Sequence, residues 1–132
     1  MASQPHFRTE QVQGVTVVSF KRPAKFIEEA MLPEIGAELM AAIDVKPPLV
    51  VLNLDGVEFF SSSFIEILFR AWNRLKARSG KFAICSLHPY CRQVLEITNL
   101  HRVWPLRKTQ EEAIEALLSE DSNDSDVGHQ PQ

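Results

Sequence analysis

The sequence predicts an α/β domain: a mixed, mostly parallel β-sheet entered through an N-terminal hairpin and carrying about four helices. Three observations lead there. The β-branched run Val15-Thr16-Val17-Val18-Ser19-Phe20 follows the turn dipeptide Gln13-Gly14, as in a hairpin. Two more apolar runs, residues 49–54 and 81–85, have the length of buried strands. Segments of helical period lie between and after them, and strands alternating with helices make parallel pairs.

Each element has its own justification. Phe7-Arg8-Thr9-Glu10-Gln11-Val12 alternates loosely and supplies the first arm of the hairpin. Residues 21–26 form a basic loop around Pro23. Pro33 suits the first turn of a helix, where an N–H would go unpaired anyway. Ile35, Leu39 and Ile43 carry that helix to about Asp44, and Pro47-Pro48 ends it before the strand at 49–54. A second helix is expected over 62–78. Ser63-Phe64-Ile65-Glu66 has the form of a capping box at its start. Ser79-Gly80 stops it, with Gly80 expected in the left-handed position. After the strand at 81–85, His88-Pro89 opens a third helix to about Thr98, with Val94, Leu95 and Ile97 as its apolar residues. Residues 103–106 suit a last edge strand, where Pro105 is tolerated. Thr109-Gln110-Glu111-Glu112 is a second capping box, followed by the apolar stripe Ala113, Ile114, Ala116, Leu117 and Leu118.

The chain has 132 residues, enough for one domain with a real core and too few for two. The domain is expected over 6–118, after a flexible segment 1–5 and before a disordered acidic tail, 119–132, with almost nothing to bury. A net charge of −3 argues against a nucleic-acid binder working by bulk electrostatics. No apolar run approaches the roughly 20 residues that cross a bilayer, so no direct membrane insertion is expected. The first residues lack a cationic segment followed by an apolar one. A cytoplasmic protein with Cys85 and Cys91 as reduced thiols is expected.

Enzyme chemistry finds little support. GxGxxG, GxxxxGK[ST], GxSxG and HExxH are all absent. His6, His88, His101 and His129 are scattered along the chain. Cys85, His88 and Cys91 are close in sequence, but their number and spacing match no common zinc pattern. They read as a strand cysteine, a helix-opening histidine and a packed helix cysteine. Asp55, Glu58 and Glu66 flank the serines, yet Glu66 is explained as the partner of Ser63 and Asp55-Gly56 as a turn. No catalytic residue, metal or cofactor is expected.

The most informative stretch is Leu52-Asn53-Leu54-Asp55-Gly56-Val57-Glu58-Phe59-Phe60-Ser61-Ser62-Ser63. It reads as a buried strand, a turn and a helix opening with three hydroxyls. Helix N-termini expose unpaired N–H groups and partial positive charge, so a serine there caps the helix and a phosphate there is favoured. Capping and modification are both open at this point. At 100° per residue, Phe64, Leu68, Ala71 and Leu75 share one face, flanked by Ile67 and Trp72. Glu66, Arg70, Asn73 and Arg74 lie opposite. Phe69 falls at the margin, either exposed as a docking patch or covered by a neighbouring loop.

With these residues the chain resembles a STAS domain, the module of bacterial anti-sigma-factor antagonists and stressosome proteins. The serine segment is similar to that family's buried strand, Val-x-Phe-hydrophobic and Asp-Ser-Ser/Thr-Gly. Val94-Leu95-Glu96-Ile97-Thr98-Asn99-Leu100 and Glu111-Glu112-Ala113-Ile114 are similar to its Leu-Glu-x-x-Gly-Leu and Glu-Ala ending. Ser61 stands where the family has Asp, and Phe64 and Asn99 where it has Gly.

The resemblance implies a regulatory protein-binding module that acts as the substrate of phosphotransfer. By position Ser62 is the phosphoacceptor, with Ser61 and Ser63 as alternatives, and Ser61, Ser63, Glu66, Phe69 and Arg70 would meet the partner. The implied partners are an anti-sigma-factor-type serine kinase, a PP2C-type phosphatase or other STAS proteins. The alternative is a non-phosphorylated scaffold or accessory subunit of a stressosome-like or lipid-transport complex.

Overall fold

The structure, a computed structural model, describes residues 6–22 and 25–119. The expected flexible segment 1–5 and the acidic tail from residue 120 onward lie outside the described residues.

The hairpin forms as expected. Strands β1 (Phe7–Val12) and β2 (Val15–Phe20) pair antiparallel from Phe7↔Phe20 to Val12↔Val15. Gln13 and Gly14 both take positive φ, 55° and 85°. A two-residue turn of that hand matches the right-handed twist of the strands. β3 (Leu49–Asn53), β4 (Lys81–Cys85) and β5 (Leu106–Arg107) then add in parallel, giving the order β1-β2-β3-β4-β5. Helices α1 (Leu32–Ala42), α2 (Ser62–Ala77), α3 (Pro89–Ile97) and α4 (Gln110–Leu118) make the connections and the final cover.

Strands buried on both faces alternate their side chains between two cores. Val50, Leu52 and Ile84 turn to the larger core with Ile35, Leu39, Phe64, Leu68 and Leu95. Val51, Ala83 and Cys85 turn the other way, under Ala113, Ile114 and Leu117 of α4. Pro33 lies in the first turn of α1 and His88 caps α3, its Nδ1 accepting the Tyr90 amide at 3.1 Å. Thr109 caps α4 through the Glu112 amide (3.1 Å), and the Glu112 carboxylate accepts from the Lys108 amide, one residue before the cap.

Three details differ from expectation. Ser79, not Gly80, is the left-handed residue after α2, with φ 62°. The Ser79 amide donates to the Lys76 carbonyl and the Gly80 amide to the Leu75 carbonyl, which closes the helix end. Ile97 is exposed: α3 buries Cys91 and Leu95, and a residue two places on from Leu95 lies about 200° around the helix. The 103–106 strand shrinks to Leu106–Arg107 because Asn99 turns left-handed (φ 65°) into the short helical turn Leu100–Arg102. That bend sends Trp104 into the core, 1% exposed, among Phe69, Trp72 and Phe82.

A clasp ties the start of β1 to α1. Glu38 accepts from the amides of His6 (2.6 Å) and Phe7 (3.2 Å) and from the His6 ring at 2.9 Å. Burial by itself raises the Glu38 pKa, but these donors outweigh it and hold the carboxyl below its ordinary value. The clasp therefore adds stability above the ordinary carboxylate range and loses it as pH falls through the depressed value. Glu38→Ala is expected to cost about 1–2 kcal/mol in urea unfolding at neutral pH, with the gap to wild type closing on acidification.

Candidate functional site

The loops at the carboxyl ends of β2, β3 and β4 meet at one end of the sheet. After β3 the Asp55 amide donates to the Asn53 side chain at 2.9 Å, and the Val57 amide to the Leu54 carbonyl at 3.0 Å. Gly56 takes φ 92° in that turn, where a side chain would be strained. The basic loop is stitched alongside. Glu58 and Phe59 donate their amides to the Lys25 carbonyl at 2.7 and 3.0 Å, and Ile27 donates to the Phe59 carbonyl at 3.1 Å. The chain is thereby led past buried Val57 and Phe60 into α2.

The helix register corrects the expected capping box. Ser61, extended at φ −94° and ψ 174°, is the N-cap of α2, so Ser63 is already the second helical residue and no Ser63–Glu66 box forms. The core sets this register: Phe64 is fully buried against Phe60, with ring centroids 5.1 Å apart. Where the family has Gly, the Phe64 ring thus points inward and leaves the helix N-terminus uncrowded. The Ser61 hydroxyl does not close the helix. It donates to the Glu29 carboxylate at 3.2 Å. The first turn of α2 has no acid of its own, so Glu29, from the short turn Glu29–Met31, brings negative charge to its positive end.

The three hydroxyls are now distinguishable. Ser61 is half-buried and bonded to Glu29. Ser63 is half-buried at the mouth of a groove between α1 and α2, floored by Leu32, Gly36, Met40 and Ile67. Ser62 is exposed, and its hydroxyl has no hydrogen bond among the described residues. Glu66 and Arg70 are exposed on the same groove. Phe69 is half-buried, its ring packed on the deeper Trp104 with centroids 5.3 Å apart, so only part of it faces solvent.

The exposed aromatics lie elsewhere. Phe59 and Tyr90 stack at 5.7 Å, and Phe26 pairs with Phe59 through the strand-like bridge of the two loops. Phe26 is 58% exposed and Tyr90 50%. Sequence reasoning missed Glu29, Phe26 and Tyr90 because they lie far from the serines in the chain and only tertiary contacts bring them to Ser61 and Phe59. Isolated aromatics in a loop or at a helix start carry no period to betray them.

The imagined Cys85–His88–Cys91 group does not assemble. Cys85 packs under α4, Cys91 packs in the other core, and His88 caps α3. Burial pushes both thiols up to about 11, so they stay protonated at neutral pH. His6, Glu34 and Glu38 do bring ligand atoms within 4.8 Å of one another, but Glu38 there is the clasp already filled by three donors. Among the described residues no imidazole or amine hydrogen bonds to a hydroxyl of the serine cluster.

Comparison with known proteins agrees with this fold. A model of the STAS domain matches residues 6–113. The anti-sigma F factor antagonist of Lysinibacillus sphaericus is 28% identical over 113 residues, 85% of this chain and 94% of its own length. Among solved structures, an anti-sigma-factor antagonist (STAS) domain protein from Planctomyces limnophilus is 41% identical. The match covers 86% of this chain and 98% of that one, with a TM-score of 0.80. An anti-sigma factor antagonist from Mycobacterium paratuberculosis is 27% identical, covering 86% and 93% with a TM-score of 0.73. No helix of the described residues is long and apolar enough to cross a membrane.

Proposed function

Since the chain belongs to the STAS domain family, we propose that it is an anti-sigma-factor antagonist whose partner docks at the start of α2 and is released when Ser62 is phosphorylated. The observation that carries this reading is the exposed, unbonded Ser62 hydroxyl at the first position of a 16-residue helix, beside two serines that are half-buried. A phosphate there adds about −1.5 to −2 charge at the positive end of the helix. The fold tolerates that charge, while a partner surface shaped for a neutral hydroxyl does not. Stability and binding are thereby separated, as a switch requires.

The partner of this reading is a serine kinase of the anti-sigma-factor type, and a PP2C-type phosphatase restores the hydroxyl. Other STAS proteins are the partners in the scaffold alternative, which the Ser61-for-Asp replacement favours. In either case the compartment is the cytoplasm.

The test combines phosphopeptide mapping from native cells with binding to the co-purified partner. Ser62→Glu is expected to melt within a few degrees of wild type and to bind at least about tenfold more weakly, a loss of about 1.4 kcal/mol. Ser62→Ala is expected to bind like wild type. Glutamate binding as well as wild type, or Ser62 unmodified under every growth condition, moves the assignment to the scaffold.

A further inference from the structure

β1 is an outer strand, and beyond Phe7, where Glu38 sits, its free side is open to pairing. Phe7–Val12 contains no proline or bulge to blunt the edge, and its two charges, Arg8 and Glu10, are of opposite sign. The two-residue turn makes Val12↔Val15 a hydrogen-bonded pair, and the pattern alternates from there. Arg8, Glu10 and Val12 therefore aim their backbone groups at β2. The Lys21 amide donating to the His6 carbonyl at 2.9 Å keeps the same phase. Phe7, Thr9 and Gln11 aim theirs outward. Glu38 occupies the outward Phe7 amide, and no described residue occupies those of Thr9 and Gln11.

The charges on this strand choose what fits it. Arg8 and Glu10 are both exposed on the α4 face of the sheet. Arg8 has no carboxylate in ion-pair range among the described residues, and the Glu10 carboxylate accepts only a 3.4 Å bond from the Gln110 amide group. A second β1 laid antiparallel can bring outward groups face to face in three central registers. Centred on Arg8, the two arginines face each other. Centred on Glu10, the two glutamates do. Centred on Thr9, each Arg8 faces the second copy's Glu10 in a non-hydrogen-bonded pair, where side chains come closest. Like charges directly opposite are destabilising, so two registers are opposed and one is favoured.

We propose that β1 is a homodimerisation edge, pairing antiparallel with β1 of a second copy in the Thr9-centred register. The Thr9 amides and carbonyls bond reciprocally across the two-fold axis and two Arg8–Glu10 pairs flank the centre; at each end Glu38 keeps the Phe7 amide, so the contact is confined to the middle of the strand. One sheet then runs through both copies. Antiparallel pairing reverses the strand direction, so the two serine clusters lie at opposite ends of the joined sheet and each stays open to its own partner. A single-strand contact belongs to the small interfaces, below about 1,200 Å², so the dimer forms with rising concentration.

Sedimentation of the full chain over a concentration series tests this. Wild type is expected to shift from monomer to dimer. Arg8→Glu alone, or Glu10→Arg alone, sets like charges opposite and weakens association about tenfold. The double variant R8E/E10R exchanges both signs and restores it. Thr9→Pro removes the central outward amide and abolishes association, with circular dichroism confirming the fold. A wild type that stays monomeric at every concentration leaves the edge to solvent or to another protein's strand and overturns the proposal. So do single variants that dimerise like wild type, or a double variant that fails to recover.

Discussion

Gly80→Ala is expected to destabilise this protein severely for a substitution that adds a single carbon atom. A Cβ at Gly80 would overlap the Pro48 carbonyl oxygen and lie 2.8 Å from the Pro48 Cβ and 2.9 Å from the Leu75 carbonyl oxygen. Two of the three obstacles are backbone, and both are engaged. The Pro48 carbonyl accepts the Lys81 amide at 3.0 Å, and the Leu75 carbonyl accepts the Gly80 amide at 2.7 Å. Relief requires the end of α2 to move away from the entry to β3, which also strains the β3–β4 pairing at Leu49↔Lys81. The expected cost is about 3 kcal/mol. That corresponds to a fall in Tm of roughly 10 °C for a chain of this size, read by calorimetry. Gly14→Ala is the control. Its Cβ would meet nothing within 4 Å, and only its φ of 85° opposes it, so about 1 kcal/mol is expected. Equal losses at the two glycines would show that close approach is not what Gly80 supplies.

Trp104→Ala is expected to cost about 3–5 kcal/mol, the range for emptying a large aromatic site. The ring is 1% exposed and meets Phe82 edge-on at 5.4 Å, Phe69 at 5.3 Å and Trp72 at 6.2 Å. The Lys76 ammonium lies 4.1 Å over Trp72, outside this cluster. Trp104 also buries an Nε1 donor with no partner among the described residues. An unmade bond of that kind costs about 1–3 kcal/mol. Trp104→Phe removes the donor together with part of the ring, so it is expected to lose much less than alanine does. Chemical denaturation of the two variants checks this. Phe69 and Trp72, both partly exposed, pack over Trp104, so the alanine variant leaves a void beneath them, and added dye binding in the folded state would report it. A phenylalanine variant as unstable as alanine would mean that packing depends on the full indole and that removing the unpaired donor gains nothing.

These two sites show how unevenly the sequence spoke. The hairpin, the alternation of strands with helices and the faces of α2 were legible because each rests on a local signal. Gln13-Gly14 specifies a tight turn, a β-branched run specifies a strand, and Phe64, Leu68, Ala71 and Leu75 repeat with the helix. The resemblance to the STAS family rested on such contiguous segments and pointed to the Ser61–Ser63 cluster.

What lay beyond the sequence is what only packing sets. Two candidate N-caps, Ser61 and Ser63, have the same chemistry, and burial of Phe64 against Phe60 chose Ser61. The carboxylate beside the serines comes from Glu29, 32 residues away, because a backbone bridge lays one loop along another. The inner side of Phe69 packs on Trp104, carried there by a left-handed Asn99. Gly80 looked like a conformational requirement and proved a steric one, since the approach of Pro48 cannot be seen from either residue's neighbours. Sequence determined the elements and the family, because period and turn chemistry act within a few residues. Tertiary structure decided the cap, the charge beside it and the aromatic cover, because those depend on distances between segments far apart in the chain.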